Sequence, residues 1–312
     1  MKSDTPGEIP RTGATRETME QWFQSFSNWG RWGRGDRLGA LNLITPEKRV
    51  RSVSLVRDGT AVSLSRDAIK ERVGPSAPFH HVMVEWGETP NAESAGDLFS
   101  VQYHGFTQTH LDALCHVFHG DYLFNGVSKN TVTNSGASEM SVLEMKTGIF
   151  TRGVLVDVPR AQKKPYLLPQ DAIYPEHLDQ ALEMANILLE PGDALIVRTG
   201  RWARELREGH WDVETGSAGL HASCLQWLRQ NDIALLASDL ASDLMPSQVE
   251  GVRLPIHLGA IAGLGVPIVD NCDLENLSEI AAGKDRSEFL FVLSPLAVPG
   301  GTGSPVNPLA VF

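Results

Sequence analysis

The stretch HGFTQTHLDALCHVFHGD, residues 104–121, carries four histidines and two aspartates among small and apolar residues. His110 and Asp112 stand two apart in it. On an extended strand, residues i and i+2 share a face, ~7 Å apart along the chain. An imidazole and a carboxylate at that spacing can converge on one cation. A mixed nitrogen and oxygen set suits Zn²⁺ or Mn²⁺ better than Ca²⁺, which takes oxygen ligands. Leu111 then faces the core, and Ala113 and Cys115 continue the alternation, so Cys115 reads as packing and not as a nucleophile. His116, four beyond Asp112, reaches the same cavity from a turn or a helix start. Asp121 reads as a turn residue. A histidine on its own is usually a surface or hydrogen-bonded core residue, which is the reading for His80, His81, His119, His177, His210 and His221. Two ligands do not make a catalytic centre, which takes three or more protein groups in most cases. The remainder must come from other segments.

Those segments read as alternating elements. RETMEQWFQSFSNW has the pattern of a short amphipathic helix. Thr45 as N-cap with Pro46 at N1 predicts a helix over 46–56. TAVSLSRD, HHVMVEWGE, LFSVQYHGF and RGVLVDV read as strands. Beyond them, PEHLDQALEMANI reads as a helix, 194–199 as a buried strand, SAGLHASCLQWLRQND as a helix and IALLASD as a strand. PIHLGAIAGLG is a compact helix closed by Gly265, followed by the strand VPIVDN, the helix DLENLSEIAA and the strand SEFLFVLSPLAV. The apolar end of the tail PGGTGSPVNPLAVF is expected to dock. The whole is an α/β chain with no repeat and no linker, expected as one domain over 1–312 with a loose arm at 1–15. Asp239 and Asp243 fall at the end of a buried strand, where α/β sheets gather functional groups. They are expected to hold a loop or to orient a ligand histidine.

The bulk numbers bound the function. The chain has 312 residues, 42% hydrophobic and 21% charged, with a net charge of −11. That acidity disfavours nucleic acid and anionic lipid as partners. Three cysteines exclude a four-cysteine zinc site by number alone, and their odd count and wide spacing argue against a disulfide framework. The N-terminus lacks an apolar secretory core, and no run of about 18 apolar residues could span a membrane. A cytoplasmic protein acting on a small molecule is the expectation. No phosphate-cradling loop is present, since GGTGSPVNP lacks the Lys-Ser/Thr ending and the following helix.

The segment THLDALCHVFHGDYLFNG resembles the signature H-x-G-T-H-x-D-x-P-x-H of the cyclase family of metal-dependent hydrolases, matching at Thr109, His110, Asp112 and His116. DRLGALNLIT, EPGDALIVRTGRW, ASDLASDLMPS, PIHLGAIAGLGVPIVDNCDLENL and GGTGSPVNP resemble other blocks of that family, so the likeness spans most of 28–312. The family includes bacterial kynurenine formamidase, isatin hydrolase and a trans-dienelactone hydrolase. The resemblance implies a swivelling β/β/α fold: a mixed, barrel-like sheet surrounded by helices. It implies a Mn or Zn cation on His110 and Asp112, with His116 as general acid/base. It also implies a second cation in some members, bridged by the aspartate and held by positions that look like His257 and Asp270. The implied reaction is hydrolysis of an aryl formamide, a cyclic amide or a lactone by metal-activated water, with no covalent enzyme intermediate. The alternatives are a lactone hydrolase or lyase, and a silent ligand-binding member. Relatives that form dimers imply a homodimer or homotetramer, and SNWGRWGRGD is expected to cover the site. Two departures stand out. Phe106 occupies the position of the first signature histidine, and His104 is the expected substitute if a bulge or turn, which Gly105 permits, shifts it into place. Asp270 stands for a Glu and is one methylene shorter, which weakens a second cation's hold.

Overall fold

Four runs rich in Val, Ile, Leu and Ala form the centre of the molecule. In the computed structural model, which describes residues 10–72 and 77–312, these are β3 (Ile149–Asp157), β4 (Ala194–Arg198), β5 (Leu235–Ser238) and β6 (Ile268–Asp270). They pair in parallel, and every residue of β4, β5 and β6 is buried. Continuous apolar runs are what parallel strands need when both sheet faces are covered. Five antiparallel strands extend the sheet: β1 (Ala61–Ser63), β2 (His110–Asp112), β7 (Glu288–Leu293), β8 (Gly303–Pro305) and β9 (Leu309–Val311). The order is β8-β2-β6-β5-β4-β3-β7-β9-β1, and the nine strands curl into a half-barrel with helices around it.

The register does the positioning. β2 lies between β6 and β8, with Asp270 opposite His110 and Ile268 opposite Asp112. On its other side, Gly303 faces Asp112 and Pro305 faces His110. Leu111 is fully buried, so strand alternation seats the strand while His110 and Asp112 share the opposite face.

Most elements lie where the sequence puts them, and the differences have local causes. The helix capped by Thr45 runs Pro46–Val53 and stops three residues early, with Ser54 as its C-cap. The segment 217–232 is helical only over Cys224–Gln230, because Gly219–Leu220 is drawn into a parallel pair with Ala172–Ile173. The Gly265-closed helix begins at Pro255–His257 and continues as a π-helix over Leu258–Leu264, with Gly265 at φ +67. The strand read in 98–106 ends at Ser100, so the segment carrying His104 is a loop. Its partner strand, His80–Glu85, forms with it a hairpin outside the large sheet. Of the expected loose arm, residues 1–9 lie outside the described residues, while Ala14–Thr15 pair in parallel with Val249–Glu250. The tail docks: Phe312 is fully buried and its N–H donates to Thr60 O at 2.9 Å. Among the described residues, no helix is long and apolar enough to cross a membrane.

Candidate metal centre

Asp112 is the hub. Its Oδ1 lies 2.9 Å from His104 Nδ1 and 3.4 Å from His110 Nε2. Its Oδ2 lies 3.6 Å from His257 Nε2 and 3.8 Å from His116 Nε2. The two oxygens therefore serve two clusters, His104–His110–Asp112 and Asp112–His257–Asp270, each with ligand atoms gathered within 4.8 Å. All five residues named from the sequence as metal ligands fall in these clusters, with His116 beside them.

Each imidazole is aimed by a partner on its other nitrogen. His110 Nδ1 donates to Gln108 O at 2.8 Å, which leaves the Nε2 lone pair toward Asp112. His257 Nδ1 bonds Asp243 Oδ2 at 2.7 Å, while Nε2 faces Asp270 Oδ2 at 3.1 Å. Asp243 also accepts from the N–H groups of Ile256 and His257, so it fixes both the ring and the helix start that carries it. Asp239 does the other task expected of this pair and holds a loop, accepting from the N–H groups of Thr199, Gly200 and Arg201. His104 Nε2 contacts Thr302 Oγ1 at 2.9 Å, which turns Nδ1 inward. Such partners set tautomer and orientation in metal sites. Thr302 was not visible in the sequence, because it meets His104 across 198 residues of chain. Gly105, at φ +136, supplies the turn that brings His104 round.

The donor set fits a cation. His104 Nδ1 and Asp112 Oδ1 approach closely but are out of hydrogen-bond alignment, and neither has a hydrogen-bond partner among the described residues. Asp270 Oδ1 is buried and equally unpartnered. Buried polar atoms without hydrogen-bond partners are rare, and a bound ion or water would satisfy them.

The electrostatics match. Burial alone would push the Asp112 carboxyl up, but His110, His104, His116 and His257 hold it well below the usual carboxylate range. Burial would likewise lower His257, yet Asp270, Asp112 and Asp243 hold it well above an ordinary histidine. Burial pushes His116 down to about 4, so its ring is neutral near pH 7, where an exposed imidazole would still be partly protonated. His116 also stacks face to face on His104, with centroids 3.8 Å apart. Cys115 is fully buried and its thiol is pushed up to about 12 by burial, which makes it packing. Trp29 of SNWGRWGRGD donates to Ala262 O and meets His119 and Tyr122 edge-on. Tyr103 is the aromatic beside the cluster, 4.5 Å from the His104 ring.

A family model described as a putative cyclase matches residues 73–242. A crystal structure described as a novel cyclase is 30% identical, with 93% of this chain and 99% of that chain covered and a TM-score of 0.82. This chain belongs to the cyclase family. Two more distant structures share the cyclase fold. Isatin hydrolase A from Labrenzia aggregata, bound to benzyl benzoate, is 17% identical over 83% of this chain and 94% of its own, TM-score 0.59. A predicted metal-dependent hydrolase from Bacillus stearothermophilus is 15% identical over 81% and 98%, TM-score 0.50. No curated protein matches the chain.

Proposed function

We propose that this cyclase-family chain is a metal-dependent hydrolase that opens an amide or ester bond, with an aryl formamide, a cyclic amide or a lactone as substrate. The observation that carries the reading is the division of Asp112: one oxygen among His104 and His110, the other beside His257, with buried unpartnered donors on both sides. His104, His110 and Asp112 would hold one Mn or Zn cation, and Asp112, His257 and Asp270 a second. When bound, such a cation supplies Lewis acidity, polarising a carbonyl and lowering the pKa of water.

The protein's own residues do the rest. His116 is neutral and lies at the edge of the cluster, so Nε2 can accept a proton from water. The protonated ring then stands 3.8 Å from the Asp112 carboxylate, which stabilises it until the proton passes to the leaving amine or alcohol. No covalent intermediate is required, in keeping with a Cys115 thiol held protonated in the core.

The test pairs metal analysis with turnover. Purified wild-type protein is expected to carry one to two equivalents of Mn or Zn by elemental mass spectrometry, and His110→Ala to lose them. Hydrolysis of aryl formamides, cyclic amides and lactones should stop on chelation. His116→Ala should keep the metal and lose roughly 10²–10⁴-fold in kcat. A His116→Ala protein with unchanged turnover would sink the assigned role. A wild-type protein that takes up neither ion on reconstitution would sink the metal reading as a whole.

A further inference from the structure

The family signature has a histidine where this chain has Phe106, and the ring that approaches Asp112 belongs to His104. The shift has a backbone cause. Gly105 adopts φ +136, a region side chains rarely adopt, although a Cβ there would meet nothing within 4 Å among the described residues. The turn is thus demanded by conformation and not by crowding. It leaves carbonyl oxygens at 105, 106 and 108 that must each find a donor.

Two side chains from distant elements provide those donors. Asn271, fully buried just after β6, donates through Nδ2 to Gly105 O at 2.8 Å and to Gln108 O at 3.0 Å. Arg201, also buried, donates from Nη2 to Phe106 O at 2.6 Å. Its Nη1 donates to Asn271 Oδ1 at 2.8 Å, so the two side chains are tied to each other. The start of the helix Arg201–Glu208 is in turn held by Asp239, which accepts from the Thr199, Gly200 and Arg201 N–H groups. A buried guanidinium is costly and normally answers a carboxylate side chain. Here its short bonds go to a backbone carbonyl of this turn and to the amide that holds the two others. Gln108 O, one of the clamped carbonyls, also receives His110 Nδ1. His110 thus keeps its own acceptor with or without the clamp, whose effect falls on the turn that carries His104.

We propose that Arg201 and Asn271 are positioning residues, a guanidinium–amide clamp on the 105–108 carbonyls that sets His104 against Asp112. The proposal rests on the metal-binding reading above. It predicts that the two residues act through His104 and not through general stability.

The test uses the full-length protein with Co²⁺ as probe. Asn271→Gly removes the amide and keeps the left-handed backbone at φ +56 accessible. Arg201→Met removes the guanidinium. Arg201→Lys keeps the charge but loses the rigid planar fork that joins Phe106 O to Asn271 Oδ1. Each is expected to weaken Co²⁺ binding about 10–100-fold and to move the visible absorption of the Co²⁺ protein to that of His104→Ala. Added to His104→Ala, each should cost no more than about twofold further, because the group it positions is already gone. Losses that multiply in that background, or an unchanged Co²⁺ spectrum in a folded variant, overturn the proposal. If Arg201→Met fails to fold, Asn271→Gly decides alone, since it removes the clamp's donor to two of the three carbonyls. The metal-free protein separates this proposal from the reading beneath it. Amide hydrogen exchange over 104–110 should quicken at least tenfold in Asn271→Gly even if wild type binds no Co²⁺, and unchanged exchange refutes the clamp.

Discussion

The two sides of Asp112 are built by different means. On the Oδ2 side, His257 leaves 7% of its side chain exposed and stands between the carboxylates of Asp243 and Asp270. On the Oδ1 side, His104 comes from a loop, leaves 27% exposed, and is aimed by the neutral hydroxyl of Thr302. The first side is organised by charge and the second by backbone shape. In the metal-free protein the difference has a consequence. Three carboxylates surround His257 and raise its affinity for a proton, so proton and cation compete for the same ring. A cation must displace that proton before it can bind through Nε2.

The largest effect should come from the residue the two sides share. Asp112→Asn keeps the shape and removes the charge from both clusters. Cation binding at both is expected to fall by more than about 100-fold, beyond what loss of a supporting partner alone costs. Isothermal titration with Mn²⁺ and Zn²⁺ reads this directly. If one equivalent survives at full affinity, Asp112 does not bridge and the comparison loses its centre.

Next in size is the charged side on its own. Asp243→Asn removes the carboxylate that orients His257 and should weaken that side about 10–100-fold while sparing the other. In wild type, binding on the His257 side should release one proton, so its affinity rises with pH up to tenfold per unit. The sign follows from a His257 held above its ordinary value, because metal needs the neutral ring and lower pH favours the charged one. Titrations in buffers of different ionisation enthalpy count the proton. A pH-independent affinity on that side would show that the ring is neutral beforehand.

How much of this was legible from the amino-acid order follows the same division. His110 and Asp112 were legible because strand spacing alone puts i and i+2 on one face, and Leu111 between them is fully buried. The Asp243–His257 contact was half legible: strand-end position marked the aspartate, but only the fold brings it to the ring. On the other side, His104 could be named only through the family signature and the glycine beside it. Thr302 left no local signal, being joined to His104 only through the β2–β8 pairing. The same holds for 219–220, whose helical look yielded to a non-local pairing with Ala172–Ile173. Local pattern specifies elements, whereas contacts between ends of the chain need the register.

The shape-built side is broken most cleanly by steric change. A Cβ on Gly303 would stand 2.3 Å from Leu111 O and 3.0 Å from His104 Cε1. Gly303→Ala must therefore spread β8 from β2 and push the His104 ring. Overpacking of this kind costs about 1–3 kcal/mol, visible as a lower midpoint in urea. Cation affinity should fall on the His104 side and hold on the His257 side. Equal loss on both would show that the strands and not the ring had moved.

The smallest effect uses a third histidine as the contrast to His257. His221 is also buried, 1% exposed, but its Nδ1 accepts from Ser223 N and Nε2 is buried without a hydrogen-bond partner among the described residues. Burial, and then Arg11, push it down to about 4. A histidine lowered in the fold binds its proton more readily unfolded, so stability is complete above the ordinary value near 6.5 and is lost as pH falls toward 4. Between pH 6.5 and 5 the wild type should lose about 1 kcal/mol through this group, after allowance for partial solvent screening. His221→Gln should flatten that slope in chemical denaturation of the metal-free protein. His257, raised instead of lowered, contributes with the opposite sign: its share is full below 6.5 and is lost only as pH rises through its elevated value. An unchanged slope in His221→Gln would mean that carboxylates set the acid limb, and that burial without a charged partner does not distinguish these two histidines.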